Sequence, residues 1–368
     1  MDPAPGYGSK IINKKPFFSI GVPTYNRKDL LGQTLAALRS QTYKDFEIIV
    51  GNDFTTAPLE EKTFGFADQR VKFINHKKNI GELENMNSLL SQAQGRYFAW
   101  QFDDDPCAPT FLEEAHAALM KYDYPLCVFT SFALIYGSDW HKFRRKNRGQ
   151  TKLYTGREFL RSYLEGRIRA LGSCGFYDTE YLRNGGGAPR LTAGRMALHA
   201  EYLLLIKTGL LPKVVYIDAP LVTSRVHEDS WTCSNLDVEL FKQAGLNLIH
   251  ESILVLEQGA LAADFAKNIV VLLEFVLSSV VVKIVMSSNK LSNREIQEYT
   301  LLLKKELDPL KGSPLYIEAL AGLDQAQKSL PLYVAKARAK MILPQGCLKW
   351  IRLVHAAFSR YARKACGK

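Results

Sequence analysis

No two of the six cysteines in this 368-residue chain form a Cys-x-x-Cys pair; they lie apart at 107, 127, 174, 233, 347 and 366. That scatter supports neither a zinc site nor a disulfide framework, and reduced thiols in a cytoplasm are the expectation. The first stretch, MDPAPGYGSKIINKKPFFSIGVP, has no apolar core or small-residue cleavage site of a secretory signal, in keeping with a cytoplasmic chain. Glycine-rich phosphate loops are missing too. The turn after the first predicted strand is VPTYNRKDL where a dinucleotide fold would carry G-x-G-x-x-G, and no G-x-x-x-x-G-K-[ST] occurs. Any nucleotide diphosphate would need another source of positive charge, and a divalent cation held by carboxylates is one. Neither an internal repeat nor a low-complexity linker is present. Carboxylates also disappear after Lys328: ten basic and no acidic residues follow from there, so nearly all of the net charge of +11 belongs to the tail.

What is present describes a globular α/β chain, 47% hydrophobic and 23% charged. FFSIGVP (17–23), FEIIVGND (46–53), VKFINH (71–76) and RYFAWQF (96–102) read as strands. Between them, DLLGQTLAALRSQ places Leu30, Leu31, Leu35 and Leu38 on one helical face, and GELENMNSLLSQA reads as a second helix. Strands alternating with helices over short connections predict a doubly wound, mostly parallel sheet. Such sheets bind ligands at the carboxyl ends of their strands, where Pro23, Asp53 and Asp103 all fall. Further helices are expected over 156–166 and 197–209, with an extended segment over 213–230. From about 238 the chain turns helical, giving an N-terminal extension (1–15), an α/β domain (16–235) and an appended helical, basic region (236–368).

Three adjacent aspartates, Asp103, Asp104 and Asp105, close the fourth strand. Like charges side by side at the end of a buried strand are costly unless a positive group sits among them. Trp100 and Phe102 beside them are expected in the core.

Three stretches together resemble a family 2 glycosyltransferase of the GT-A fold: FFSIGVPTYNRKDLLGQTLAALRSQTYKDFEIIVGND, NIGELENMNSLLSQAQGRYFAWQFDDD, and HAEYLLLIKTG with SRVHEDS. The resemblance covers roughly residues 16–232. It implies that Pro23, Thr24, Tyr25 and Arg27 surround the base and ribose of a nucleotide sugar, with Asp53 and Asp103 also contacting the nucleotide. Asp103–Asp105 match the family's DXD-type motif, which implies that Asp104 and Asp105, with His227, hold Mn²⁺ or Mg²⁺ against the donor diphosphate. Glu201 lies where the family places its catalytic base, with His199 the competing candidate. The implied activity is metal-dependent, inverting sugar transfer to a glycan or lipid-linked acceptor, with a non-catalytic sugar-nucleotide-binding scaffold as the alternative. Three departures bear on the donor. The pair after strand two is Asn52-Asp53 where the family has two aspartates, Met86 replaces an arginine of the second helix, and the base is Glu201 preceded by Ala200.

Two segments lie beyond the resemblance. DFAKNIVVLLEFVLSSVVVKIVM (264–286) is long enough to span a bilayer, but Glu274 and Lys283 inside it favour a buried or interfacial helix or a subunit contact. In residues 348–364, Leu348, Ile351, Val354, Phe358 and Tyr361 share one helical face and Lys349, Arg352, Arg360 and Arg363 lie largely on another. That pattern suits peripheral contact with the anionic inner face of a membrane, or a helix docked on its own domain with a solvated basic side. Nucleic acid is not an expected partner, because no recognised module accompanies the charge. A homo-oligomer is compatible with the apolar helix.

Overall fold

The computed structural model describes residues 15–136, 149–226, 235–258, 262–288 and 293–335. Eight strands make one sheet: β1 (Phe18–Thr24), β2 (Phe46–Asn52), β3 (Val71–Asn75), β4 (Tyr97–Trp100), β5 (Cys127–Tyr136), β6 (Gln150–Tyr154), β7 (Gly175–Asp178) and β8 (Val214–Val226). Their order is β3-β2-β1-β4-β7-β5-β8-β6. β3, β2, β1 and β4 run parallel, as do β5 and β8. β7 is antiparallel to both of its neighbours, and β6 is antiparallel to β8. The sheet is therefore mostly parallel, as expected from the alternation of strands and helices.

Both faces are covered, which is why β1 and β2 are buried along their whole length. On one face, Phe18, Ile20, Val22, Ile48 and Val50 pack against Leu31, Leu35 and Leu38 of α1 (Lys28–Arg39). Phe111, Leu112 and Ala115 of α3 (Phe111–Lys121) join the same core; α2 (Glu82–Gln92) lies between these helices in sequence. On the other face, Ile49, Phe98 and Trp100 meet Leu83, Met86 and Leu89 of α2. Trp100 is core, as predicted, and its indole Nε1–H donates to the Met86 carbonyl at 3.0 Å, so burial leaves no orphaned donor. Gly51 is required here: a Cβ would stand 2.0 Å from Asn85 Oδ1, and that side chain donates to the Gly51 carbonyl at 2.7 Å.

Three shorter helices follow, α4 (Gly156–Leu164), α5 (Thr179–Asn184) and α6 (Ala200–Lys207). The helical region is then α7 (Val238–Gln258), α8 (Ala262–Ser288), α9 (Asn293–Glu306) and α10 (Pro314–Lys328). It packs on the α/β part through one core in which Leu160 and Leu164 of α4 and Leu203 and Ile206 of α6 join Leu272, Val276 and Val280 of α8. Helix α8 is apolar on all sides because it is the central helix. Its stretch Ile269–Ser287 is long and apolar enough to cross a membrane, and 83% of it is buried inside the protein. The two charges within that stretch, Glu274 and Lys283, each have a local polar partner. Glu274 accepts from the Tyr333 hydroxyl. Lys283 donates to the Asn235 carbonyl at 2.6 Å and lies 4.4 Å from the centre of the Phe241 ring. The basic segment 348–364 lies outside the described residues, as does the basic run HKFRRKNR at 141–148.

Candidate functional site

A cavity of about 520 Å³ opens at the carboxyl ends of β1, β2 and β4. Its lining includes Pro23, Thr24, Tyr25, Arg27, Asp53 and Asp103–Asp105, which brings together the predicted site residues from three strand ends. Phe102 also lines it, half-buried, and so belongs to the site and not, as expected, to the core alone. That follows from its position past the last residue of β4, where the chain leaves the covered sheet.

The positive group among the aspartates is an arginine. β1 ends in a turn with Asn26 in the left-handed region (φ 53°), and this turn brings Arg27 to the start of α1. Arg27 Nη1 lies 3.4 Å from Asp103 Oδ1 and 3.1 Å from Asp104 Oδ2. Thr24 Oγ1 donates to Asp103 Oδ2 at 2.6 Å, and Thr34 Oγ1 to the Asp103 carbonyl at 2.9 Å. A second arginine closes the other side. Arg225, on β8, donates its backbone N–H to Asp105 Oδ1 at 2.8 Å, its Nε–H to the Asp104 carbonyl, and Nη1 to Gln33 Oε1 at 2.7 Å. Even so, burial first and the Asp104 charge second push the Asp103 carboxyl up to about 6. The same two causes push Asp105 well above the usual carboxylate range.

Asp53 is buried, and its two oxygens accept from Ile80 N (2.7 Å) and Gly81 N (2.7 Å). It lines the cavity while clamping the start of the segment that leads into α2. The Asn52 departure has a structural reason. Its amide donates to the Ala57 carbonyl at 2.9 Å and to Asn75 Oδ1 at 2.8 Å, which a carboxylate cannot do. Met86 is 1% exposed, so an arginine at this place would be buried in the α2–sheet interface.

Glu201 sits in the first turn of α6 beside the cavity and not in its lining. Its Oε1 accepts from Ser173 N at 2.8 Å, and burial raises its pKa. His199 packs among Tyr202, Phe241 and Phe275, and burial pushes its pKa down to about 3. The ring lies in the aromatic core shared with α7 and α8 and outside the cavity lining. His227 lies outside the described residues.

The structure adds residues that periodicity could not supply. Glu82, Asn79, Asn85, Arg195, Met196 and Arg225 also line the cavity. Glu82 accepts from Ala197 N at 2.9 Å, and burial first raises its pKa, with Glu201 and Asp103 as charged neighbours. In sequence it reads as an ordinary acid in a first helical turn. Arg225 lies inside SRVHEDS, where the flanking histidine drew attention.

Among the described residues no three His, Cys, Asp or Glu side chains converge as a ready metal-binding set. The chemistry of the lining nevertheless fits a hard cation. Five carboxylates (Asp53, Glu82, Asp103, Asp104, Asp105) face three guanidiniums (Arg27, Arg195, Arg225), and oxygen donors of this kind suit Mg²⁺ or Mn²⁺.

A cavity at the strand ends of a doubly wound sheet, lined by acids and arginines, lies where open α/β sheets bind their ligands. Residues 19–184 match the model of glycosyl transferase family 2, so this part of the chain is a domain of that family. An uncharacterized glycosyltransferase of Haemophilus influenzae is 34% identical over 113 residues, 30% of this chain and 34% of that protein. The GalNAc(5)-diNAcBac-PP-undecaprenol beta-1,3-glucosyltransferase of Campylobacter jejuni is 34% identical over 93 residues, 24% of this chain and 30% of that one. The matched stretch thus spans about a third of the length of these relatives. Among solved structures, S. aureus TarS 1-349 in complex with UDP-GlcNAc has a TM-score of 0.47 at 14% identity, covering 86% of this chain and 91% of that one. The mannosyltransferase PcManGT of Pyrobaculum calidifontis, in complex with GDP-Man and Mn²⁺, has a TM-score of 0.47 at 14% identity, covering 87% and 88%.

Proposed function

We propose that the protein is a divalent-cation-dependent, inverting glycosyltransferase that moves a sugar from a nucleoside-diphosphate sugar to a hydroxyl of a glycan or lipid-linked acceptor. The observation that carries this reading is the excess of carboxylates over guanidiniums in a cavity at the strand ends of a family 2 domain. A diphosphate adds at least two negative charges there, so it needs a cation to enter with it. The name of the Campylobacter jejuni relative supports the lipid-linked acceptor, since that protein acts on an undecaprenol-linked glycan.

Within this reading, the turn of Pro23, Thr24, Tyr25 and Arg27 faces the nucleotide, and Asp53 fixes the backbone at 80–81 that borders it. Asp103 and Asp104, held by Thr24 and Arg27, orient the diphosphate end, and Asp104, Asp105 and His227 are the proposed ligands of Mn²⁺ or Mg²⁺. When bound, such a cation supplies Lewis-acid stabilisation of the leaving diphosphate. Glu201 takes the proton of the attacking hydroxyl, a step worth roughly 10²–10⁴-fold. Its burial makes it a stronger base than an exposed glutamate, and a single in-line attack inverts the anomeric centre.

A second reading, a sugar-nucleotide-binding scaffold without transfer, is favoured by one observation: the Glu201 carboxylate is tied to Ser173 and set back from the lining. Both readings are tested by thermal shift with UDP-, GDP- and dTDP-sugars, with and without Mn²⁺. Cation-dependent stabilisation by one of them is expected, and its absence for all three would overturn the site assignment. Turnover then separates enzyme from scaffold.

A further inference from the structure

The three arginines of the cavity are not equivalent. Arg27 is committed to Asp103 and Asp104, and Arg225 to the Asp104 carbonyl and Gln33. Arg195 touches no carboxylate among the described residues. Its Nη1 donates to the carbonyl and the side-chain oxygen of Asn79, at 3.2 and 3.3 Å, which leaves Nε and Nη2 without a partner among the described residues. Helix α2 (ELENMNSLLSQ) contains no lysine or arginine and so contributes no cation of its own here.

The position of Arg195 is built. The segment 195–197 is strapped across the start of α2, with Leu83 N donating to the Arg195 carbonyl at 3.1 Å and Ala197 N to Glu82 Oε2 at 2.9 Å. It crosses at Gly81, which has φ +90°. A Cβ there would stand 2.3 Å from Arg195 Cβ and 2.9 Å from its carbonyl oxygen, so only glycine admits the crossing. Gly81 in turn is gripped through its N–H by Asp53. The strand-end carboxylate, the glycine and the arginine thus form one chain of contacts on the β3 side of the cavity.

We propose that Arg195, set in place by the crossing at Gly81, is a diphosphate-recognising residue of the donor site. This rests on the sugar-nucleotide reading above. A guanidinium with two sets of N–H groups uncommitted matches phosphate oxygens in a planar, two-point contact, and it offsets the acid excess from the side away from Asp103–Asp105. Gly81 is the positioning residue.

The test is calorimetric titration of UDP, GDP and dTDP, and of the corresponding monophosphates, in Mn²⁺. For the base that the wild type binds, Arg195→Ala is expected to weaken the diphosphate about tenfold or more and the monophosphate less than about threefold, with Arg195→Lys between. Unchanged diphosphate affinity, or an equal loss for mono- and diphosphate, overturns the assignment. A change confined to the acceptor's KM would place Arg195 on the acceptor and overturns it as well. Gly81→Ala, checked for folding by circular dichroism, should repeat the diphosphate loss; if it folds and binds normally, the positioning role fails. An absence of all nucleotide binding by the wild type would sink the donor reading itself, and this proposal with it.

Discussion

Replacing Asp104 by Asn separates a carboxylate that serves the site from one that serves the fold. Asp103 is pushed from the ordinary 3.8 to about 6. At 1.36 kcal/mol per pH unit, ionising it in the folded chain costs about 3 kcal/mol relative to the unfolded one. Burial is the larger cause and the Asp104 charge the second, for Asp103 and Asp105 alike. Neutralising Asp104 removes the second of these causes, so it relieves part of that cost at Asp103 and acts in the same direction at Asp105. Against this stands the half-buried ion pair with Arg27 at 3.1 Å, about 1 kcal/mol. Asp104→Asn should therefore leave the cation-free protein as stable as wild type or slightly more so, a Tm change of about 0 to +3 °C by scanning fluorimetry at pH 7.5. The pH dependence follows the same sign. A carboxyl with a raised folded pKa keeps its proton longer in the folded state, so stability falls as pH rises from about 4 to 6, and the penalty is complete above that. The variant should show a shallower fall. In the same protein, Mn²⁺-dependent nucleotide affinity should drop about 100-fold or more by calorimetry. A Tm lower by more than about 5 °C with unchanged Mn²⁺-dependent binding would refute the reasoning and make Asp104 a structural residue.

Three further outcomes are expected. Glu201→Gln should bind donor within about threefold of wild type and lose about 10²–10⁴-fold in turnover, together with the acid limb of the pH–rate profile. That limb should lie above the ordinary glutamate value of 4.5, because burial raises this carboxyl; near-normal turnover would move the base to Glu82, which lines the cavity. Lys283→Met should cost about 1–3 kcal/mol in thermal or denaturant unfolding, since it strips the Asn235 carbonyl of its donor and the Phe241 ring of its cation, while a gain in Tm would show the buried ammonium to be a net cost. A chain ending near Pro344 should sediment with anionic liposomes much less than the full chain, at about 1 kcal/mol per basic residue lost, and equal partition would disconnect the tail from the membrane.

The elements most legible in the sequence were those with the simplest burial. β1 and β2 are covered on both faces and so read as unbroken apolar runs, and α1 shows its single leucine face. β6 (QTKLY) was not legible because it is an edge strand, mostly exposed, with no alternation to mark it. Helix α3 and β5 are bounded by turn signals, Pro106 to Pro109 before α3 and Asp123 to Pro125 between the two, yet neither was among the expected elements. The antiparallel insertion of β7 between β4 and β5 depends on tertiary pairing that no local pattern encodes. At the site, Pro23 to Arg27, Asp53 and Asp103 were legible together because adjacent parallel strands end side by side. Glu82 and Arg195 were not, since their place in the cavity comes from the strap over Gly81, a contact between segments more than a hundred residues apart. The residue type at 201 was readable, whereas its withdrawal onto the Ser173 N–H follows from how the Gly172–Cys174 turn packs on α6.

The central claim, that this cavity breaks the bond between a sugar and a nucleoside diphosphate, is tested most directly by incubating the full chain with UDP-, GDP- and dTDP-sugars in Mn²⁺ without acceptor and measuring the free nucleotide released. The account predicts slow, Mn²⁺-dependent release of a nucleoside diphosphate from one donor class, lost in Asp104→Asn. Cation-dependent binding with no release from any donor, or pyrophosphate release from a nucleoside triphosphate instead, would contradict it.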